Sequence, residues 1–122
     1  MEINKDATGD LDELLRIGAL AETIGDYQLA LDTYGLAVTS VGTKQVGWRR
    51  LRAARALSEL GSVFAETSEP QRALESYQRS LETYKNLLDD SKTDAEVRNA
   101  AKVEMQRVRK IITALRQQAP TK

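Results

Sequence analysis

Two stretches of the chain repeat one pattern of large and small residues. Residues 14–38 read LLRIGALAETIGDYQLALDTYGLAV, and residues 57–81 read LSELGSVFAETSEPQRALESYQRSL. In both stretches, small residues and a tyrosine recur at spacings of three and four, which places them along one side of a helix. The matched pairs are Leu14 with Leu57, Ile17 with Leu60, Gly18 with Gly61, Ala21 with Phe64, Ala30 with Ala73, Tyr34 with Tyr77, and Ala37 with Ser80.

A glycine falls at the same helical position in both copies. Glycine inside a helix costs about 1 kcal/mol relative to alanine, so the pair Gly18 and Gly61 predicts close contact between helices. We expect the first helix of each pair to approach the second at the matched alanines, while the matched tyrosines fill the wider gap beyond them. The predicted core of the two copies is Leu14, Ile17, Gly18, Ala30, Tyr34, Ala37, Leu57, Leu60, Gly61, Phe64, Ala73, Tyr77 and Leu81.

Apolar spacing and boundary residues predict five helices, over about 11–23, 27–40, 46–67, 70–88 and 94–118. Gly42 suits the left-handed conformation after the second helix, and Pro70 suits a first turn. Short turns between the helices predict an all-α fold of antiparallel neighbours. Three residue pairs have the spacing of capping boxes, namely Asp10 with Glu13, Ser68 with Gln71, and Thr93 with Glu96.

The predicted organisation is one domain over residues 11–118, between an N-terminal tail (1–10) and a C-terminal tail (119–122). We place the first repeat at 11–43 and the second at 46–88. The fifth helix, 94–118, follows them.

The composition excludes several classes of function. The chain of 122 residues has no Cys and no His, which removes disulfides, thiolate chemistry and the usual proton carrier and metal ligand at neutral pH. The residues present do not assemble a base, a nucleophile and an oxyanion site. The acidic stretch DDSKTDAE, 89–96, lacks the central glycine of a calcium loop and carries Lys92 among its carboxylates. We therefore expect no enzyme activity, no cofactor and no metal.

The sequence favours a cytoplasmic location. No apolar run approaches the roughly 18 residues of a membrane helix, so we expect no membrane partner. The start MEINKDATGD is acidic and polar, whereas a signal peptide is basic and then apolar.

The net charge is zero, but the charges lie in blocks. Residues 1–43, 44–55, 56–96 and 97–122 carry −6, +5, −5 and +6. One alternative is self-association, with the basic fifth helix of one chain meeting the acidic first pair of another. A second alternative is a binder of nucleic acid or an anionic surface through the basic residues 44–55, which include Trp48, and 98–116. The zero net charge argues against the second, and Trp48 is expected to pack near the start of the third helix.

The two copies resemble the tetratricopeptide repeat, a helix–turn–helix unit with Leu-Gly in its first helix and Ala, an aromatic residue and Ala in its second. Departures are Leu in place of the leading Trp, Ala21 in place of an aromatic residue, Ser80 in place of Ala, and no closing Pro. The 43-residue unit exceeds the 34 residues typical of the family and is similar to the extended variety in kinesin light chains and bacterial signalling arrays. The resemblance covers about residues 11–88 and implies a right-handed superhelix of two helical hairpins.

The fifth helix fits the pattern less well. Val108-Arg109 stands where the Leu-Gly pair would fall. The resemblance therefore leaves two interpretations open, the first half of a degenerate third repeat or a capping helix over the last pair. The chain can equally be a fragment of a longer array.

The resemblance implies a function. In this family the first helices of successive pairs line a concave groove that holds a peptide or helix of a partner protein, so it implies a non-catalytic adaptor or scaffold. A subset of the family grips chaperone C-termini with Lys and Asn, but Leu15, Ala19 and Glu59 stand at those positions here and argue against that ligand. The groove residues implied are Leu15, Arg16, Ala19, Glu22, Arg55, Ser58, Glu59, Ser62, Gln106, Arg107 and Lys110.

Overall fold

The computed structural model describes residues 9–40 and 47–118. Within these ranges the chain forms the helices α1 (Gly9–Thr23), α2 (Tyr27–Ser40), α3 (Gly47–Glu66), α4 (Pro70–Asp89) and α5 (Ala95–Gln118). The predicted all-α fold is confirmed, and the helix boundaries lie within a few residues of those predicted. The predicted helix end at Gly42 lies outside the described residues, as does most of each predicted tail. None of the helices in these ranges combines the length and apolar character that crossing a membrane requires.

The helices stack as two hairpins and a single helix. The closest packing is between α3 and α4, followed by α1 with α2 and α4 with α5. In addition α3 lies against α1, α5 against α3, and α2 against α4. The helices α1, α3 and α5 therefore share one layer, and α2 and α4 share the other. In this arrangement α5 packs on α4 of the second hairpin as α3 packs on α2 of the first.

A continuous apolar core runs between the two layers. The predicted core residues are buried except for Ile17 and Leu81, which are half-buried. Phe64, which is fully buried, meets Tyr27 edge to face, with 6.2 Å between the ring centres. Burying a side chain of this size contributes about 1.5–3 kcal/mol relative to leaving it exposed, so such contacts hold α2 against α3.

The two repeated glycines make room for tyrosine rings, which corrects the prediction that they face alanines. A Cβ atom at Gly18 would lie 2.7 Å from Cδ1 and Cζ of Tyr34. A Cβ atom at Gly61 would lie 2.8 Å from Cε2 of Tyr77. In each hairpin the ring therefore crosses directly over the glycine, because only a residue without a side chain leaves that space.

Two of the three predicted capping boxes, at Ser68 and Thr93, do not match the helix starts. Ser68 has a φ of 63°, so it lies in the left-handed region, and Glu69 caps α4 without a side-chain hydrogen bond. The Thr93 hydroxyl is buried without a hydrogen bond to the described residues, because the helical bonds of α5 begin at the Asp94 carbonyl. The side chain of Asp10, the third predicted cap, lies outside what the structure describes.

The outward side of α5 carries long polar side chains. We align Val108 and Arg109 of α5 with Leu60 and Gly61 of α3. In this alignment the small residues through which α3 contacts α4 correspond to residues with long side chains in α5. On α3 this side carries Ala54, Ser58 and Gly61, whereas on α5 it carries the exposed residues Lys102, Gln106 and Arg109. A further helix on this side of α5 would meet long polar side chains, where α4 meets small residues on α3.

Candidate partner-binding groove

Two adjoining cavities lie on the layer formed by α1, α3 and α5. The larger, about 510 Å³, lies between α3 and α5, and the smaller, about 240 Å³, lies between α1 and α3. Arg55 and Glu59 line both, so the cavities form one surface, which we call the groove. The residues that line the groove are Leu15, Ala19, Tyr34, Arg52, Arg55, Ala56, Ser58, Glu59, Ser62, Tyr77, Val103, Glu104, Arg107, Val108 and Ile111.

Most of the predicted site residues lie in the groove. Leu15 and Ser58 are buried and form part of its floor. The others are exposed and border the cavities. The predicted residues placed here are Leu15, Ala19, Arg55, Ser58, Glu59, Ser62 and Arg107.

Four predicted residues do not line either cavity. The exposed side chain of Arg16 pairs with Glu13 at 2.7 Å, and the carboxylate of Glu22 accepts a 2.6 Å hydrogen bond from the Tyr34 hydroxyl. Gln106 and Lys110 are exposed on the outward side of α5. Both align with the groove residues Ser58 and Ser62 of α3, but the side of α5 that carries them faces away from α3.

The sequence reasoning missed Val103, Glu104 and Ile111 on α5. Val103 is 67% exposed, which is unusual for a large apolar side chain in this chain. Ile111 is half-buried. Val103 falls outside the apolar seam that packs on α4, and that departure from helical spacing was the available signal for it.

A polar network fixes the centre of the groove. The Arg55 guanidinium donates to Glu104 through Nε, at 3.0 Å to Oε1 and 2.8 Å to Oε2, and through Nη2, at 2.5 Å to Oε2. The hydroxyl of Tyr84, a fully buried residue, donates to Glu104 Oε1 at 2.7 Å. The network ties α3, α4 and α5 together, so the wall of the larger cavity is held in one arrangement.

The same network sets the protonation of its members. Desolvation raises the pKa of Glu104, but the hydrogen bonds from Arg55 and Tyr84 outweigh it and hold the pKa below its ordinary value. Burial and the bond to Glu104 raise the pKa of Tyr84 to about 12. Burial, followed by the bond to Glu22, raises the pKa of Tyr34. At neutral pH the tyrosines are therefore neutral and the carboxylate is charged, which suits a structural role.

The basic stretch 44–55 is largely engaged with acids of the same chain. Arg49 and Arg52 lie 3.4 and 3.6 Å from Asp12 Oδ1, and the buried Arg50 pairs with Asp90 at 3.0 Å. Trp48 is 48% exposed, in contrast to the predicted packing. The guanidinium carbons of Arg49 and Arg52 lie 5.0 and 5.8 Å from its ring centre. Lys44 lies outside the described residues.

Charged residues of the acidic stretch 89–96 and Arg98 form contacts within the chain. The Asp90 carboxylate of the acidic stretch accepts hydrogen bonds from Arg50 and from the Lys92 backbone N–H. In the part of the chain that the structure describes, no group of three acidic side chains is placed to hold a metal ion. The guanidinium of Arg98 donates to the carbonyls of Leu88 and Asp90, so this cation caps the end of α4.

A family model for the tetratricopeptide repeat matches residues 10–86. The chain belongs to the tetratricopeptide repeat family. The match covers both hairpins and ends before α5, in agreement with the departures of α5 from the repeat pattern. No curated protein matches the chain, and no solved structure matches it. Tetratricopeptide repeats generally mediate contacts between proteins, so the groove is a candidate for such a contact.

Proposed function

We propose that this tetratricopeptide repeat protein is a non-catalytic adaptor that holds a peptide or helical segment of a partner protein in its groove. The observation that supports the proposal is the joining of two cavities on one layer through Arg55 and Glu59. A joined surface suits an elongated segment better than a small molecule. The cytoplasmic location stays a prediction.

The groove mixes apolar and charged side chains. On the α5 side, Val103, Val108 and Ile111 offer apolar contacts, and Ala19 and Ala56 do so near α1. Arg107 is exposed at the border of the larger cavity, where its guanidinium can reach a ligand. A bound segment would place an apolar side chain against Val103 and would use polar groups at the borders.

Blocking the larger cavity should weaken peptide binding. Ser62 is exposed and small, so the variant Ser62→Arg fills the cavity without disturbing the core. Peptides would be selected from a displayed random library against the whole chain, synthesised, and titrated by calorimetry. We expect Ser62→Arg to lower their affinity at least about tenfold, which corresponds to 1.4 kcal/mol.

The matched control is Asn86→Arg on α4, which is exposed and borders a different surface between α2 and α4. It adds the same side chain and charge away from the groove, and affinity should stay within about twofold. A selection that yields no binding peptide, or affinities that respond to Asn86→Arg and not to Ser62→Arg, would contradict the proposal.

The two alternative functions have less support. The arginines of residues 49–55 are paired with Asp12, Asp90 and Glu104 within the chain. These pairs reduce the charge that either nucleic acid or a complementary block of another chain would meet.

A further inference from the structure

The outward side of α1 is apolar and uncovered by the described residues. Ile24 is 76% exposed and Leu20 is 59% exposed, the highest and third-highest values among the exposed large apolar side chains of the described residues. Ile17, half-buried, precedes them at the spacing of three and four that forms a stripe along a helix. Leu29, 44% exposed, lies just beyond the turn that ends α1.

The residues of α3 and α5 that correspond to this stripe show how the repeat covers it. Ile17, Leu20 and Ile24 align with Val108, Ile111 and Leu115 of α5, through the glycine positions of the repeats. Val108 is fully buried and the other two are half-buried against the core, and α5 packs chiefly on α4. On α3 the counterpart of Ile17 is Leu60, which is fully buried. On α5 a helix therefore covers the stripe that α1 leaves open. On α3 the cover is partial, because the counterparts of Leu20 and Ile24, Val63 and Thr67, are half-buried and exposed.

We propose that the stripe of Ile17, Leu20 and Ile24 is a contact surface for a second copy of this chain. The two α1 helices would lie antiparallel about a two-fold axis next to Leu20. Ile17 of one copy then meets Ile24 of the second copy. A two-fold interface uses the same patch on both copies, so an apolar stripe is complementary to itself.

The charges at the two ends of the stripe fit this pairing. Arg16 lies at one end, where it also pairs with Glu13 of its own helix, and Asp26 lies at the other; Arg16 and Asp26 are both exposed. The antiparallel arrangement brings Arg16 of each copy beside Asp26 of the other. The remaining end of the stack does not offer an alternative cover, because the outward side of α5 carries Lys102, Gln106 and Arg109. The copies therefore meet through their α1 ends and form a closed dimer, since a head-to-tail chain would set apolar side chains against charged ones.

The dimer should be weak. The stripe is smaller than the roughly 800 Å² per partner that stable complexes bury, so we expect a dissociation constant on the order of 10–100 µM. Light scattering on the whole chain from about 10 µM to 1 mM should show the mass rising from monomer to dimer. The dimer should persist in high salt, whereas a dimer held by the charge blocks would dissociate there.

The variant Leu20→Glu should remain monomeric over the same range, because it sets two carboxylates against each other at the axis. The control Val103→Glu introduces the same charge at an apolar residue of similar exposure on α5, and its mass should match that of the natural chain. Circular dichroism would verify that both variants keep their helical content. Peptide binding in the groove should survive Leu20→Glu, so the two proposals fail separately.

Crosslinking tests the axis directly, because the chain contains no cysteine. The variant Leu20→Cys should form a disulfide with its own counterpart under mild oxidation, and Val103→Cys should not. A monomer at every concentration overturns the proposal. It is also overturned by a dimer that survives Leu20→Glu, by a dimer that Val103→Glu abolishes, or by equal crosslinking of the two cysteine variants.

Discussion

The variant Gly18→Ala is expected to lower the free energy of unfolding by about 2–3 kcal/mol. The added Cβ would overlap the buried ring of Tyr34, lying closest to Cε1 and 2.7 Å from Cδ1 and Cζ. The ring is 2% exposed and its hydroxyl is bonded to Glu22, so it has little room to move. The higher helix propensity of alanine, about 1 kcal/mol, offsets only part of this cost.

The measurement is denaturant unfolding followed by circular dichroism, with two matched glycines for comparison. Gly61→Ala should lower the free energy of unfolding less, by about 1–2 kcal/mol, because its added Cβ would lie 2.8 Å from the nearest ring atom of Tyr77. Gly35→Ala lies inside a helix too, but the nearest atoms belong to the flexible end of Arg79, so it should be close to neutral. A Gly18→Ala variant as stable as Gly35→Ala would contradict the role assigned to the repeated glycine.

The variant Glu104→Ala is expected to cost about 2–3 kcal/mol of stability. It removes the acceptor for the hydroxyl of Tyr84, a fully buried residue, and the anionic partner of Arg55. Arg55 is half-exposed and can regain water, so most of the cost arises at the tyrosine. The double variant Glu104→Ala/Tyr84→Phe should therefore lose less than the sum of the two single variants. Additive losses would show that the bond between Glu104 and Tyr84 is not formed.

The free energy of unfolding should depend on pH through the carboxylate of Glu104. Because the pKa of Glu104 is lowered in the folded chain, its contribution is fully present above its ordinary pKa of about 4.3 and is lost as pH falls through the lowered value. The stability advantage of the natural chain over Glu104→Gln should therefore shrink below about pH 4. Glu13→Gln, which alters an exposed pair, serves as the control. An advantage that stayed constant down to acid pH would contradict the assignment.

The sequence predicted most of the fold because helices leave local signals. Apolar spacing gave all five helices, and the matched glycines gave the hairpins. The predicted contact of those glycines was wrong in detail. Helical spacing shows that a residue must be small, but it does not show which side chain lies opposite. The capping boxes at Ser68 and Thr93 failed for a similar reason, because the φ of 63° at Ser68 depends on how α3 meets α4.

The groove was predicted better on α1 and α3 than on α5. On α3 the aligned positions Ser58 and Ser62 reach the larger cavity. On α5 the equivalent positions, Gln106 and Lys110, face outward, and the adjacent face supplies Val103 instead. Which face of the last helix borders the groove depends on the packing of α5 on α4, and one sequence does not determine that angle.

The central claim is that the layer of α1, α3 and α5 holds the partner segment, and amide chemical shifts test it most directly. An isotopically labelled sample of the whole chain would be titrated with a peptide selected from the displayed library. The account predicts that the largest shift changes map to groove residues on all three helices, such as Ala19, Ser62 and Val103. Changes confined to the surface between α2 and α4, around Asp32 and Asn86, would contradict it.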